Sequence, residues 1–191
     1  KTDAHRKIII LKFRIGTYTF EVVTSCVVGY ITPENLTDDV KYNKTVTVNM
    51  QNTPYGNINI KKVNSKPGEI VSGAKFAIYE SDGVTPAKAY TSSTDSTLID
   101  AVITEAPAGN GIYVCNNLPI TDANGTQYVI KETSAPEGYF IDKGAYTVTL
   151  ETAGTTVLVS YNGKGTFDED VYGSASITKI WSATEQPTAA Q

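Results

Sequence analysis

The sequence predicts an all-β protein made of tandem β-sandwich domains. Short runs in which apolar and polar residues alternate, rich in Thr, Tyr and β-branched residues, are typical of half-buried strands. Turn-forming pairs separate these runs, and one segment recurs later in the chain at the spacing of a whole domain. Sustained helical periodicity is absent, and residues 97–106 are expected to hold at most a short helix.

The alternation places the individual strands. We expect strands at residues 58–60, 75–79, 146–150 and 157–159, where the period is two. Residues 7–13 form a short apolar run and are expected to be a buried strand. Turns are predicted at the pairs Asp82-Gly83, Asn124-Gly125, Ala153-Gly154 and Asn162-Gly163.

Composition argues against several classes of function. The 191 residues carry a net charge of −4, and this mild acidity argues against nucleic acid and anionic membrane surfaces as partners. Since no apolar run approaches the ~20 residues of a membrane helix, no membrane insertion is expected. His5 is the only histidine, so His-based triads and His-rich metal sites are not expected, and neither is a cofactor. The acidic run 168–170 permits calcium binding or a two-carboxylate hydrolase, but a solvated turn is the simpler interpretation.

The most informative feature of the chain is an internal repeat. Residues 55–63 (YGNINIKKV) recur as residues 172–180 (YGSASITKI). A looser resemblance relates residues 16–30 to residues 126–139. The period of roughly 110–117 residues is the size of one sandwich domain.

The repeat sets the predicted domain boundaries. We expect a partial first domain at residues 1–55, a complete domain at 56–172 and the first strand of a following domain at 173–191. Cys26 and Cys115 then lie in different domains, so a disulfide between them is not expected.

Three polar residues continue the apolar faces of predicted strands. Lys62 shares a face with Ile60, Glu132 shares a face with Ile130, and Asn52 ends a similar pattern over residues 46–52. A buried lysine or glutamate costs several kcal/mol unless it is paired or neutralised. The simple interpretation is that these strand ends reach solvent. Their recurrence within one repeated domain favours a chemical explanation instead.

Burial of such residues permits a crosslinking reaction. Burial lowers the pKa of a lysine and raises that of a glutamate. A neutral amine can attack the carbonyl carbon of an Asn or Asp side chain, while a protonated glutamic acid polarises that carbonyl and moves protons. Collapse of the tetrahedral intermediate releases ammonia from Asn or water from Asp. The product is a side-chain amide made in a single turnover.

Several motifs resemble one known family. Residues 62–64 (KVN) with 72–79 (SGAKFAIY) resemble the opening of a CnaB-type (SpaA-like, prealbumin-like) repeat of Gram-positive pilins and surface adhesins. Residues 128–139 (YVIKETSAPEGY) resemble the E-box of that family, and residues 50–54 (MQNTP) resemble its terminal Asn-x-Pro strand. The resemblance implies tandem immunoglobulin-like (CnaB-type) β-sandwich domains, each closed by an intramolecular isopeptide bond between the first and last strands.

The resemblance assigns roles to residues of the complete domain. Lys62 corresponds to the crosslinking lysine, and Glu132 to the catalytic glutamate that shuttles protons during isopeptide formation. The acceptor is the open choice. We rank Asp168 first, Asn162 second because it falls out of phase with the preceding strand, and Asp170 third.

The other two units depart from the family pattern. Lys1 and Asn52 are a possible crosslinked pair of the first domain, but Val22 stands where the E-box glutamate is expected, and Glu21 faces the opposite way. We therefore expect no efficient crosslink there. Lys179 corresponds to the lysine of the following domain, whose partners lie outside this chain.

The resemblance implies a structural role rather than an enzyme that acts on a free substrate. The chain is expected to be a stalk or shaft segment of a cell-wall-anchored, extracellular pilus or adhesin, with neighbouring pilin or adhesin domains or subunits as partners. The alternative is a ligand-binding adhesin module that recognises a host protein or glycan through residues 85–110, which are expected to form a long surface loop.

Overall fold

A computed structural model describes residues 13–22, 28–65, 69–160, 165–173 and 175–178. These residues form thirteen strands and no helix, and therefore no helix that is long and apolar enough to cross a membrane. The strands are β1 (Gly16–Phe20), β2 (Tyr30–Ile31), β3 (Leu36–Val40), β4 (Thr53–Asn64), β5 (Lys75–Glu80), β6 (Lys88–Ser92), β7 (Asp95–Asp100), β8 (Thr104–Glu105), β9 (Ile112–Pro119), β10 (Thr126–Ser134), β11 (Ala145–Leu150), β12 (Thr156–Leu158) and β13 (Phe167–Glu169).

Strand β4 organises the main sheet. Within its twelve residues, Tyr55 to Lys61 pair antiparallel with β9, and β8 extends the sheet beyond β9. Along its other edge, β4 pairs in parallel with β12 and then with β13. At its beginning it pairs antiparallel with β2. The first and last strands of the complete domain are therefore neighbours.

A second sheet of three strands faces the main sheet. Its order is β11-β10-β5, with both pairs antiparallel. One hydrophobic core contains side chains from both sheets, including Ile60 from β4 and Ile130 from β10, and the rings of Phe76 (β5) and Tyr113 (β9) meet edge to face at 5.0 Å. This arrangement is a β-sandwich and confirms the predicted all-β class.

The first unit is smaller in the described part of the chain. Strands β1 and β3 form a two-stranded antiparallel sheet that pairs Tyr18 with Asp38. The alternating residues 46–52 were predicted to be a strand, and this prediction is wrong. They form no ladder with another strand among the described residues, because strand pairing resumes only at Thr53, in β4.

The remaining strand predictions have mixed outcomes. Those at residues 58–60, 75–79, 146–150 and 157–159 are confirmed by β4, β5, β11 and β12, although β12 ends at Leu158. Residues 97–106 hold parts of β7 and β8 rather than a helix. Residues 85–110 were predicted to be a long loop, but β6 and β7 pair there as a hairpin and Ala89 reaches the core. Residues 7–12 and the pair Asn162-Gly163 lie outside the described residues.

Candidate crosslinking site

Lys62 and Glu132 meet in the interior between the two sheets. Lys62 follows Ile58 and Ile60 on the inner face of β4, and Glu132 follows Tyr128 and Ile130 on the inner face of β10. Relative exposure is 1% for Lys62 and 6% for Glu132. Lys62 Nζ lies 3.0 Å from Glu132 Oε1. The sequence pattern thus leads to a charged pair inside an apolar core.

The backbone around Lys62 is held on both sides. Its N–H donates to Gly111 O at 2.8 Å, and its carbonyl accepts from Val71 N at 3.2 Å. Gly111 has φ of +66°, and a Cβ there would lie 2.5 Å from the Ile70 side chain and 2.9 Å from Lys62 O. Only glycine allows this close approach. The backbone at the end of β4 that carries Lys62 is therefore held in place on both sides.

A cluster of aromatic rings lies on one side of the amine. Lys62 Nζ lies 5.4 Å from the centre of the Phe76 ring, within cation–π range. Phe76 contacts Phe167 edge to face at 5.9 Å, and Phe167 in turn contacts Tyr146 at 4.7 Å. These rings keep the site apolar, and an apolar site strengthens the interactions of any charge inside it.

Glu132 is positioned by a second layer of hydrogen bonds. Its Oε2 accepts from the backbone N–H of Asp142 at 2.7 Å. The Asp142 carboxylate accepts from Gly144 N at 2.7 Å and from the Tyr146 hydroxyl at 2.5 Å. The loop that joins β10 to β11 is thereby folded so that one of its N–H groups points at Glu132.

Burial sets the protonation of the lysine. Desolvation lowers the pKa of Lys62 below the ordinary value of 10.5, while the hydrogen bond and charge of Glu132 and the charge of Asp142 oppose this effect. Because desolvation is the largest cause, the neutral amine is easier to reach here than in water. A neutral lysine amine is a nucleophile, so the site can support attack on a nearby carbonyl carbon.

The structure places the acceptor candidates differently. In the parallel ladder of β13 with β4, Phe167 lies opposite Lys62, and Asp168 lies opposite Val63. Since alternate residues face opposite ways, Phe167 shares the inner face with Lys62, and Asp168 belongs to the other face. Asp168 is half-buried and accepts from the Thr166 hydroxyl at 3.2 Å. Asp170 is exposed, and Asn162 lies outside the described residues.

The first unit does not assemble an equivalent site in the described residues. Asn52 was expected on an apolar face but is exposed, because the segment that carries it pairs with no strand there. Val22 is half-buried and Glu21 is exposed. Lys1, and Lys179 of the following unit, lie outside the described residues.

Sequence reasoning missed Asp142, Tyr146 and Phe167. The alternation of β11 does place Tyr146 on the inner face, with Val148, but gives no reason to expect a hydrogen bond to Asp142. Asp142 contributes a backbone N–H, for which the residue type carries no signal. Cys115 is buried and forms no disulfide, and Cys26 lies outside the described residues.

Comparison with known families identifies the domain. The family model of the SpaA prealbumin-like fold domain matches residues 56–164, which is more than half of the chain. The chain belongs to this family. The predicted resemblance is thereby confirmed, and the matched range begins at the first residue predicted for the complete domain. No curated protein matches the sequence.

Several solved structures resemble this SpaA-type chain. GBS52, the minor pilin of Streptococcus agalactiae, is 16% identical with a TM-score of 0.45, over 90% of this chain and 66% of that one. A mutant form of the shaft pilin SpaA of Lactobacillus rhamnosus GG is 18% identical with a TM-score of 0.45, over 84% and 64%. The TIE protein of Bacillus anthracis is 19% identical with a TM-score of 0.45, over 82% and 25%. The chain thus spans between a quarter and two thirds of these proteins.

Proposed function

We propose that the complete SpaA-type domain crosslinks itself through Lys62 and thereby serves as a load-bearing segment of a surface stalk. The observation that carries the proposal is the 3.0 Å approach of Lys62 Nζ to Glu132 Oε1 in the core. A buried pair of this kind is weak evidence for stability alone, since apolar residues of equal volume often stabilise as well. A chemical role gives a reason for its presence.

The reaction uses the pair as follows. A proton passes from the Lys62 ammonium to Glu132, which leaves a neutral amine and a carboxylic acid. The amine attacks the side-chain carbonyl carbon of the acceptor while the acid donates a hydrogen bond to its oxygen. The C–N bond forms, and the C–O bond of an Asp or the C–N bond of an Asn breaks. Water or ammonia leaves with the protons, and Glu132 ends as it began.

The acceptor is proposed to lie in the segment that ends the domain. Asp168 remains the first candidate because its strand is hydrogen-bonded to β4, although a shift of one residue along β13 is needed to bring it to the face of Lys62. Asn162 is the second candidate and Asp170 the third. Each would tie the first strand to the closing segment of the domain, so tension would pass through a covalent bond between the two ends of the domain.

The biological role follows from this mechanics. A domain whose two ends are joined covalently suits a shaft, and some of the similar structures are pilins. We propose an extracellular, cell-wall-anchored location in a Gram-positive bacterium, with neighbouring pilin domains or subunits as partners. Under this proposal the only reaction is the single self-crosslinking turnover, and no free substrate is consumed.

Intact-mass spectrometry of the denatured chain tests the crosslink. A Lys–Asp bond lowers the mass by about 18 Da and a Lys–Asn bond by about 17 Da, since each expels water or ammonia. The first value indicates Asp168 or Asp170, and the second indicates Asn162. Lys62→Ala should restore the calculated mass, which excludes other sources of the loss.

Single substitutions then locate the acceptor. Asp168→Ala, Asn162→Ala and Asp170→Ala are compared, and only the true acceptor should abolish the loss of mass. If all three variants still lose mass, the acceptor lies elsewhere, and Asp142, whose charge acts on Lys62, is the next residue to substitute. An unshifted mass in the unsubstituted chain would refute the proposed function.

A further inference from the structure

The segment that precedes the complete domain lies directly against it. Tyr55 N donates to Gly29 O at 2.8 Å, next to the antiparallel pairing of β2 with β4. Gly154, in the turn between β11 and β12, donates its N–H to Tyr55 O at 2.8 Å. A Cβ on Gly29 would overlap the backbone of Gly154, so the two backbones touch. We call this contact between residues 29–31, Tyr55 and Gly154 the first junction. Ile31 is only 1% exposed there.

The same backbone arrangement recurs at the other end of the domain. Tyr172 N donates to Gly138 O at 3.1 Å, and Tyr139 forms an antiparallel bridge with Val171. In the repeat, Tyr172 corresponds to Tyr55, and residues 138–140 (GYF) correspond to residues 29–31 (GYI). The molecule therefore contains two copies of one junction.

The two copies differ in what covers them. Gly29 and Gly138 have φ of +88° and +90°, but a Cβ on Gly138 would meet nothing within 4 Å. Phe140 is 60% exposed, although it corresponds to the buried Ile31. Its ring packs edge to face on the exposed Tyr172 ring at 5.3 Å. Apolar surface that is covered at the first junction is thus open at the second.

The segment that follows the second junction shows the same difference. Ile177 is 96% exposed, whereas Ile60, the residue it repeats, is fully buried in the core. An isoleucine that is buried in one copy of a repeat and solvated in the other indicates that the second copy needs a core of its own.

We propose that the second junction surface binds a further SpaA-type domain that continues the chain from Tyr172. This surface consists of Gly138, Phe140, Val171 and Tyr172. The contact would be made by the β11–β12 turn of that domain, as Gly154 contacts Gly29 at the first junction. A direct covalent continuation is favoured over a separate copy, because the backbone bonds at both junctions join a segment to the tyrosine that begins the next unit of the repeat, Tyr55 or Tyr172. The proposal rests on the repeat and is independent of the crosslink.

A tandem chain tests this inference by thiol labelling. Residues 1–171 are followed by a second copy of residues 55–191, so that Tyr55 of the copy takes the place of Tyr172. All chains carry Cys26→Ser. Burial raises the pKa of Cys115 to about 12, so this thiol should remain unlabelled near neutral pH while its domain is folded. Phe140→Cys, placed in the first copy only, reports on the second junction. Ile31→Cys reports on the first junction.

The expected labelling rates are specific. In the 191-residue chain the thiol at position 140 should react at least about tenfold faster than the one at position 31, because it needs no local opening. In the tandem chain the rate at position 140 should fall towards that at position 31. Gly138→Ala should restore fast labelling at position 140 in the tandem chain, as Gly29→Ala should increase labelling at position 31.

Two results would overturn the inference. One is an equal rate at position 140 in the 191-residue and tandem chains while Cys115 of the second copy remains protected. The other is a second copy whose Cys115 labels as fast as an unfolded thiol, since the proposal states that this surface accepts such a domain. Neither measurement depends on Lys62. The labelling rates would therefore test the junction even if the crosslink did not form.

Discussion

Two antiparallel pairs of strands, β1 with β3 and β10 with β11, occupy corresponding places in the repeat but bury their side chains differently. In β10, Tyr128 and Ile130 are almost fully buried, whereas the corresponding Tyr18 and Phe20 in β1 are half-buried. Within the described part of the chain, β1 and β3 pair only with each other, while β10 faces the sheet built on β4.

The difference shows that a period of two states which side chains share a face but does not bury them. Tyr128 pairs with Val148 across β10 and β11, whereas Tyr18 pairs with Asp38, a residue that favours solvent. Burial of Glu132 comes from the opposing sheet, which also brings Lys62. We therefore expect the chemistry to be confined to the complete domain, and the following predictions test that comparison.

The largest effect is expected from Glu132→Ala. This change removes the carboxylate beside the buried Lys62 amine, and breaking such a pair costs about 3–5 kcal/mol. It should also prevent the proposed crosslink, whose closed loop of roughly 100 residues would contribute about 4–5 kcal/mol on the chain-entropy estimate for a disulfide. Intact mass should show no loss, and urea unfolding should show a strongly destabilised domain.

A double variant separates the two effects. Lys62→Met with Glu132→Leu also removes the crosslink but leaves no buried charge, so it should be more stable than Glu132→Ala. Glu21→Ala in the first unit, an exposed position, should change stability by less than about 0.5 kcal/mol. Equal stability of Glu132→Ala and the unsubstituted chain would contradict the role given to the pair.

An intermediate effect is expected from matched truncations in the two units. Ile130→Ala removes a fully buried side chain and should cost about 2–5 kcal/mol. Phe20→Ala, at the corresponding half-buried position, should cost only about 1–1.5 kcal/mol despite the larger side chain. Native-state hydrogen exchange resolves the two units separately. A larger loss at Phe20 would mean that the first unit has a core of similar quality.

Much of the fold could be predicted from the sequence because the core strands carry apolar residues at alternate positions. The inner faces of β4 and β10, which carry Lys62 and Glu132, follow from the alternation of side chains along a strand. Strands β6 to β8 were missed because their Ser-, Thr- and Ala-rich sequence resembles a surface loop, and only Ala89 and a few neighbours reach the core.

The details of the site depend on quantities that periodicity does not give. Whether Asp168 or Phe167 faces Lys62 depends on the length of chain between β12 and β13, and a slip of one residue reverses the answer. The hydrogen bond from Asp142 to Glu132 uses the backbone, so it depends on the path of the β10–β11 loop rather than on residue type.

The smallest effect is expected from Tyr146→Phe. The lost hydroxyl donates to Asp142, whose backbone N–H holds Glu132, and a hydrogen bond to a carboxylate contributes about 1.5–3 kcal/mol, with the lower end expected at this part-buried site. We expect slower crosslinking rather than its loss, measured by intact mass after timed quenching of cell-free synthesis. Tyr18→Phe is the matched control, since its hydroxyl donates to Arg14 O in an exposed setting. If both variants crosslink as fast as the unsubstituted chain, the loop does not position Glu132, and the opposing sheet alone accounts for the difference between the two units.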